Sequence, residues 1–188
     1  MVCWRCREPT SSAVCVGCGT IQPPPAQPDF FSILSLKRSF FLEAHDLEQS
    51  YRAVSKKIHP DRFVKHSAVE RRMSLQWTAA ANEARRVLKD PITRARYLAT
   101  GSSRPKEVGG PKMEPEFLEL IFELQIEQDD DPKGVSNKAQ SLYAEQFSKL
   151  ELEFEQWDAL NVDQKRDSSV RVEMILAKIK YLRNLFEE

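Results

Sequence analysis

The sequence predicts an all-α fold: a helical hairpin followed by a three-helix bundle, with a small cysteine knuckle at the N-terminus. Three observations predict it. From residue 43 onward apolar residues recur at alternating spacings of three and four, the period of a helix with one buried face. Two stretches rich in proline or glycine, 20–28 and 101–113, cut that pattern into units. All four cysteines fall within residues 3–18, and no strand-like alternation is visible outside that segment. The expected division is a knuckle at 1–19, a linker at 20–28, a first helical domain at 29–100, a second linker at 101–113 and the bundle at 114–188. A chain of 188 residues has room for one or two small domains of this kind.

The cysteines come as two pairs, Cys3-x2-Cys6 and Cys15-x2-Cys18. Each C-x-x-C pair sits on a tight turn. Two such turns bring four thiolates to the corners of a tetrahedron, which suits structural zinc. Gly17 and Gly19 flank Cys18 and supply the backbone freedom such turns use. A closed set of four thiolates leaves no open position for catalysis, so the metal serves to fold a segment with little core of its own. An iron site, an iron–sulfur cluster, or two disulfides in a secreted chain also fit four cysteines. Only Arg5 and Arg7 are basic here and Trp4 is the one aromatic residue, a poor set for nucleic acid.

Thr20 to Pro28 carries four prolines in nine residues, which favours a stiff extended spacer. Asp29 then caps a short helix holding Phe30, Phe31 and Leu34. Residues 43–58 place Leu47, Tyr51, Val54 and Ile58 on one stripe. Pro60 ends that helix, because the residue before a proline is pushed out of the α region. A second long helix runs from Ala68 to Lys89, with Met73, Trp77, Ala80, Ala84, Val87 and Leu88 facing inward. Asp90-Pro91 punctuates it, and a short turn through Ala95 and Leu98 follows. The expected result is two antiparallel helices joined by a short loop.

The last unit reads as three helices. Residues 115–127 hold Phe117, Leu120, Ile121 and Leu124; residues 134–160 hold Tyr143, Phe147, Leu150, Phe154 and Trp157; residues 169–186 hold Val172, Ile175, Ile179, Leu182 and Phe186. Seven-residue patterns of this kind favour nearly antiparallel packing. A second apolar face is left over: Leu118, Phe122 and Ile126 at i, i+4 and i+8, and Tyr181 with Met174 and Leu185 near it. A monomer gains nothing by exposing such a face, so it marks either a binding surface or a wide core face that packs on the preceding domain.

The formal net charge is zero, but the charge is segregated. Lys37 to Lys106 holds sixteen Lys/Arg against seven Asp/Glu, and Glu114 to Asp163 holds three against fourteen. Either each half is suited to a different partner, or the two are solvated helical surfaces of opposite charge. No run of 18 apolar residues exists, so no membrane-spanning helix and no membrane partner are expected. Residues 1–20 show no charged segment followed by an apolar stretch, so no secretory signal is expected either.

The stretch Tyr51 to Phe63, YRAVSKKIHPDRF, resembles the J-domain signature. So does the order around it: a short Asp-Phe-Phe helix, a basic helix, His-Pro-Asp, then a second long helix. The resemblance implies a J-domain helical hairpin in which His59, Pro60 and Asp61 sit exposed and engage the ATPase domain of a DnaK-type chaperone. The residues fit that role. Pro60 stiffens the loop, so little entropy is lost on docking. Arg52, Lys56, Lys57, Arg62 and Lys65 form a basic strip that steers toward an acidic patch.

The domain order narrows the resemblance to the HscB family of iron–sulfur cluster co-chaperones. Asp29-Phe30-Phe31, Asn82-Glu83-Ala84, Leu88, Asp90-Pro91 and Arg94-Ala95-Arg96-Tyr97-Leu98 resemble that family's phrases, as does the tetracysteine knuckle of some members. The resemblance implies a co-chaperone that is no enzyme. It would bind an IscU-type scaffold through the bundle, deliver it to a DnaK/HscA-type chaperone and stimulate that chaperone's ATPase to promote cluster transfer. Phe117-Leu118, Phe122-Glu123-Leu124 and Lys180-Tyr181-Leu182 match the family's bundle segments, which makes Leu118, Phe122, Glu123 and Tyr181 the scaffold-contact candidates. The chain departs from the pattern at Arg62, where lysine is usual, and at Glu119 and Ile126, where charge and apolarity are exchanged. The expected location is the bacterial cytoplasm, or the mitochondrial matrix in a eukaryote. Two other readings stand: a J-domain co-chaperone for general folding clients, and a zinc-knuckle nucleic-acid-binding protein using the basic helix.

Overall fold

A computed structural model describes residues 2–105 and 111–186. Residues 106–110, in the middle of the expected second linker, lie outside them. The described residues form seven α-helices and no named strand. They are α1 (Phe30–Ile33), α2 (Ala44–Ile58), α3 (Ala68–Lys89), α4 (Pro91–Thr100), α5 (Pro115–Glu127), α6 (Pro132–Glu155) and α7 (Val162–Arg183), with 3-10 turns at Pro60–Phe63 and Trp157–Ala159. The all-α expectation holds. Two compact units emerge, Met1–Asp90 and Pro91–Glu188. The division falls at Asp90-Pro91, ahead of the 101–113 stretch, and α4 packs against α7 within the second unit. The expected turn through Ala95 and Leu98 is a full helix, started by Pro91 and stopped at Gly101, whose φ is 76°.

In the first unit the knuckle consists of two matching halves. Val2 bridges Pro9 and Val14 bridges Ile21. Cys3 N–H donates to Glu8 O (2.8 Å) and Arg7 N–H to Cys3 O (3.0 Å); Cys15 N–H donates to Thr20 O (2.9 Å) and Gly19 N–H to Cys15 O (2.9 Å). The same turn therefore occurs twice, and beyond the cysteines only the valine before each pair, Val2 and Val14, announces it. Each half closes on a left-handed residue, Arg7 at φ 67° and Gly19 at φ 71°. Gly17 is not in that region, so Gly19 alone uses the freedom expected of both. The expected linker is shorter than its proline content suggests. Thr20, Ile21 and Gln22 are buried, and Trp77 Nε1 of α3 donates to Gln22 O at 2.7 Å. A cleft of about 550 Å³ between knuckle and helices is walled by Val14, Ile33, Val54 and Trp77.

Asp29 caps α1, accepting from Ser32 N–H at 2.9 Å. Helices α2 and α3 form the expected pair. Tyr51 Oη donates to Asn82 Oδ1 (2.6 Å), Arg85 pairs with Glu48 (2.7 Å) and lies 5.0 Å from the Tyr51 ring centroid. The buried stripe of α3 runs Ser74, Trp77, Ala81, Ala84, Val87, Leu88, while Met73 and Ala80 are half-buried at its edge. Ser67 and Glu70 form a capping box that fixes the start of α3.

The second unit buries Ile121, Leu124, Val135, Ala139, Leu182 and Leu185 in one cluster. Its last helix begins at Val162, seven residues earlier than expected, because Asn161 and Gln164 cap it reciprocally. The buried stripe of α7 is Val172, Leu176, Ile179, Leu182, with Ile175 half-buried. Leu185, expected beside Tyr181 on the outer face, is a core residue 4% exposed. The helix ends at Arg183, so helical spacing no longer governs where residue 185 points. Helix α6 stops at Glu155 and the 3-10 turn brings Trp157 back onto Phe154, ring centroids 5.1 Å apart.

Candidate docking loop, metal centre and apolar face

The sulfurs of Cys3, Cys6, Cys15 and Cys18 all lie within 4.8 Å of one another. Cys3 to Cys18 and Cys6 to Cys15 are both 3.7 Å. A tetrahedron with metal–sulfur bonds of about 2.3 Å has edges of roughly 3.8 Å, so the donor set fits a zinc-sized ion held by one pair from each half. The spacing is far from the ~2.05 Å of a disulfide, and all four cysteines are free. The thiols share their protons unevenly. Burial pushes Cys3 up, but the Cys6 and Arg5 amides and the neighbouring thiols outweigh it and hold Cys3 at about 6. The Thr20 hydroxyl and amide lower Cys18. The Glu8 amide lowers Cys6, but burial and its bonds to Cys18, Cys3 and Cys15 prevail and push it to about 12. Such a set releases protons when a cation arrives, and the ion would supply structural charge neutralisation with no open position.

His59 follows the last residue of α2, and Pro60–Phe63 makes one 3-10 turn. Phe63 is the anchor: it is 3% exposed while His59, Asp61 and Arg62 are exposed around it. Asp61 N–H donates to His59 Nδ1 at 3.3 Å, so in the neutral ring Nδ1 accepts and Nε2–H is left as the donor. The Asp61 carboxylate lies 3.5 Å from the same Nδ1 and is 86% exposed. From behind, Ser74 Oγ of α3 holds Ile58 O at 2.6 Å, and Arg62 Nη1 bonds Lys56 O at 3.2 Å. Arg52, Lys56, Lys57, Arg62 and Lys65 are all exposed. The loop therefore presents anchored polar groups beside a run of exposed cations.

On α5, Leu118, Phe122 and Ile126 are 44%, 62% and 61% exposed, and Glu123 is exposed beside them. Tyr181 of α7 is 41% exposed and meets Phe117 of α5 edge-on, centroids 6.3 Å apart. Lys178 Nζ lies over the Phe117 ring, 5.4 Å from its centroid, and pairs with Glu114. Structure thus joins the α5 and α7 candidates through Phe117. Residues that the pattern does not flag are Thr20 and Gln22 as neighbours of the thiols, with Trp77 bonded to Gln22 behind them; only the run Thr20-Ile21-Gln22 directly after Cys18-Gly19 hinted at the first two.

No family model matches the chain. The Co-chaperone protein HscB homolog of Bordetella avium is 41% identical over 106 residues, covering 56% of this chain and 63% of that protein. That of Burkholderia multivorans is 41% identical over 91 residues, covering 47% and 51%. The match thus spans about half to three-fifths of these relatives' own lengths. In fold, the crystal structure of human co-chaperone protein HscB matches with a TM-score of 0.76 at 24% identity, over 98% of this chain and 94% of that one. Chaperone HscB from Vibrio cholerae matches at 0.64 and 23%, over 85% and 94%. Sequence over just over half the chain and fold over nearly all of it resemble one group, the proteins named HscB co-chaperones.

Proposed function

We propose that this protein is a J-domain co-chaperone of iron–sulfur cluster biogenesis. It binds an IscU-type scaffold protein through Leu118, Phe122, Glu123 and Tyr181. It delivers that scaffold to a DnaK/HscA-type chaperone and stimulates the chaperone's ATPase through His59, Pro60 and Asp61, which promotes cluster transfer. In this reading residues 29–100 act as the J domain, 114–188 bind the scaffold, and zinc on the four cysteines folds the knuckle. The observation that carries the reading is the exposed turn His59-Pro60-Asp61, anchored by Phe63 and flanked by exposed Arg52, Lys56, Lys57, Arg62 and Lys65.

The mechanism is differential binding. The loop contributes no bond-making group, so it can raise a partner's ATPase only by binding one conformation of that partner better than the other. A loop held at both ends loses little entropy on docking, and nearly all its contact energy is then available for that discrimination. Steady-state ATPase assays of a DnaK/HscA-type chaperone test the proposal. Stimulation is expected with the native chain and to fall at least tenfold with His59→Gln, while scaffold affinity stays unchanged. Full stimulation by His59→Gln would sink the loop assignment.

A further inference from the structure

Gln22 is 1% exposed, and each of its polar atoms is bonded. Its N–H donates to Ala13 O at 2.8 Å and its carbonyl accepts from Trp77 Nε1 at 2.7 Å. Its Oε1 accepts from the Trp4 backbone N–H at 3.2 Å. Its Nε2 donates to Thr20 O at 2.8 Å and to Cys3 Sγ at 3.2 Å. Because a backbone N–H can only donate, Oε1 must face Trp4 and the NH2 group must face the sulfur. One residue therefore touches a sulfur of the four-thiol cluster on one side and the buried indole of α3 on the other. Trp77 is one turn along α3 from Ser74, whose hydroxyl holds the end of α2 at Ile58, directly before His59.

We propose that Gln22 is a positioning residue that makes metal loading of the knuckle and packing of the α2–α3 pair a single linked equilibrium. The amide stabilises negative charge on Cys3 Sγ, as groups behind metal ligands do. The same residue's carbonyl satisfies Trp77, whose N–H would otherwise be a buried donor without a partner. The knuckle has little core to keep Gln22 in place without the ion. Linkage is reciprocal: whatever loosens the Trp77 contact must weaken metal binding, although Trp77 touches no sulfur. The inference rests on the cysteines holding a metal and is independent of which partner the His59 loop engages.

The full-length chain tests it with zinc and with cobalt as a spectroscopic probe. On chelation of zinc, amide hydrogen exchange is expected to speed up about tenfold in α3 between residues 70 and 81, as well as in the knuckle. Zinc affinity, measured by chelator competition, is expected to fall severalfold in Trp77→Phe and about 10- to 100-fold in Gln22→Ala. In the cobalt-loaded chain, losing the hydrogen bond to sulfur moves the sulfur-to-metal charge-transfer band to lower energy in Gln22→Ala and not in Trp77→Phe, which a merely structural role would not do. Exchange confined to residues 2–22 on chelation, with α3 still protected, overturns the linkage, and this comparison needs no variant to fold. Zinc affinity unchanged in Trp77→Phe overturns it as well. A chain that takes up no stoichiometric metal removes the metal reading and the linkage together.

Discussion

Single residues decide how the exposed features are held. His59 and Asp61 owe their presentation to neighbours that are buried: Phe63 beneath the turn and Ser74 behind it. Arg7 shows the opposite balance. A non-glycine residue in the left-handed region costs about 1–2 kcal/mol, whereas the matching position in the other half is Gly19. Glycine adds a backbone-entropy cost of roughly 0.5–1 kcal/mol, so Arg7→Gly is expected to stabilise the loaded knuckle by about 0.5 kcal/mol net. Metal binding is folding of this segment, so the gain reads out as roughly twofold tighter zinc retention in chelator competition. The cysteine spacing announced the cluster of four sulfurs. The equivalence of Arg7 and Gly19 was not legible, because it lies in a backbone angle that the arginine side chain disguises.

At the level of elements, helix faces were legible and helix ends less so. The i, i+4, i+8 row on α5 was visible in the sequence, and Leu118, Phe122 and Ile126 are exposed in the fold. The start of α7 is not legible because Asn161 and Gln164 cap without an apolar signal, and Leu185 turns inward because helical spacing ends at Arg183. Phe122→Ala with Tyr181→Ala is expected to weaken scaffold binding about 10- to 100-fold by calorimetry. Leu152→Ala, an equally exposed apolar change on α6, should leave it unaltered. Helices α6 and α7 are also locked by charge. Glu153 accepts from Arg171 Nε (2.7 Å) and Nη2 (2.9 Å) and from Ser168 Oγ (2.6 Å). The Arg171 guanidinium holds its carboxyl below the ordinary 4.5, against burial and with help from Ser168. A carboxyl depressed in the folded state contributes stability above its unfolded value and loses it as pH falls through the lower, folded one. Glu153→Gln should therefore cost about 1–3 kcal/mol in urea unfolding at pH 7, and the difference from the native chain should shrink below pH 4.

For the molecule as a whole, a net charge of zero conceals a basic segment and an acidic one. The basic strip beside His59 is exposed, so its contribution is long-range and screened within about 8–10 Å at physiological salt. The α5 face is apolar and short-range. The two partnerships should differ accordingly. Raising salt from about 50 to 300 mM is expected to slow association with the chaperone by about tenfold while changing scaffold association by less than about twofold, both by stopped flow. Equal salt sensitivity would assign the charges wrongly. Composition made this asymmetry legible, but whether the cations were paired or free for solvent could be read only from the fold.

The doubled turn of the knuckle has a kinetic consequence. Each half closes its own backbone hydrogen bonds, so toward a metal ion each would act as a bidentate chelator tethered to its twin by a short chain. The tether gives the second half a high effective concentration once the first has captured an ion. Capture and surrender of an ion would then proceed by halves, two cysteines releasing it while the other two still hold. Retention and exchange of the ion, ordinarily opposed, would then be separately adjustable through the tether at residues 10–13.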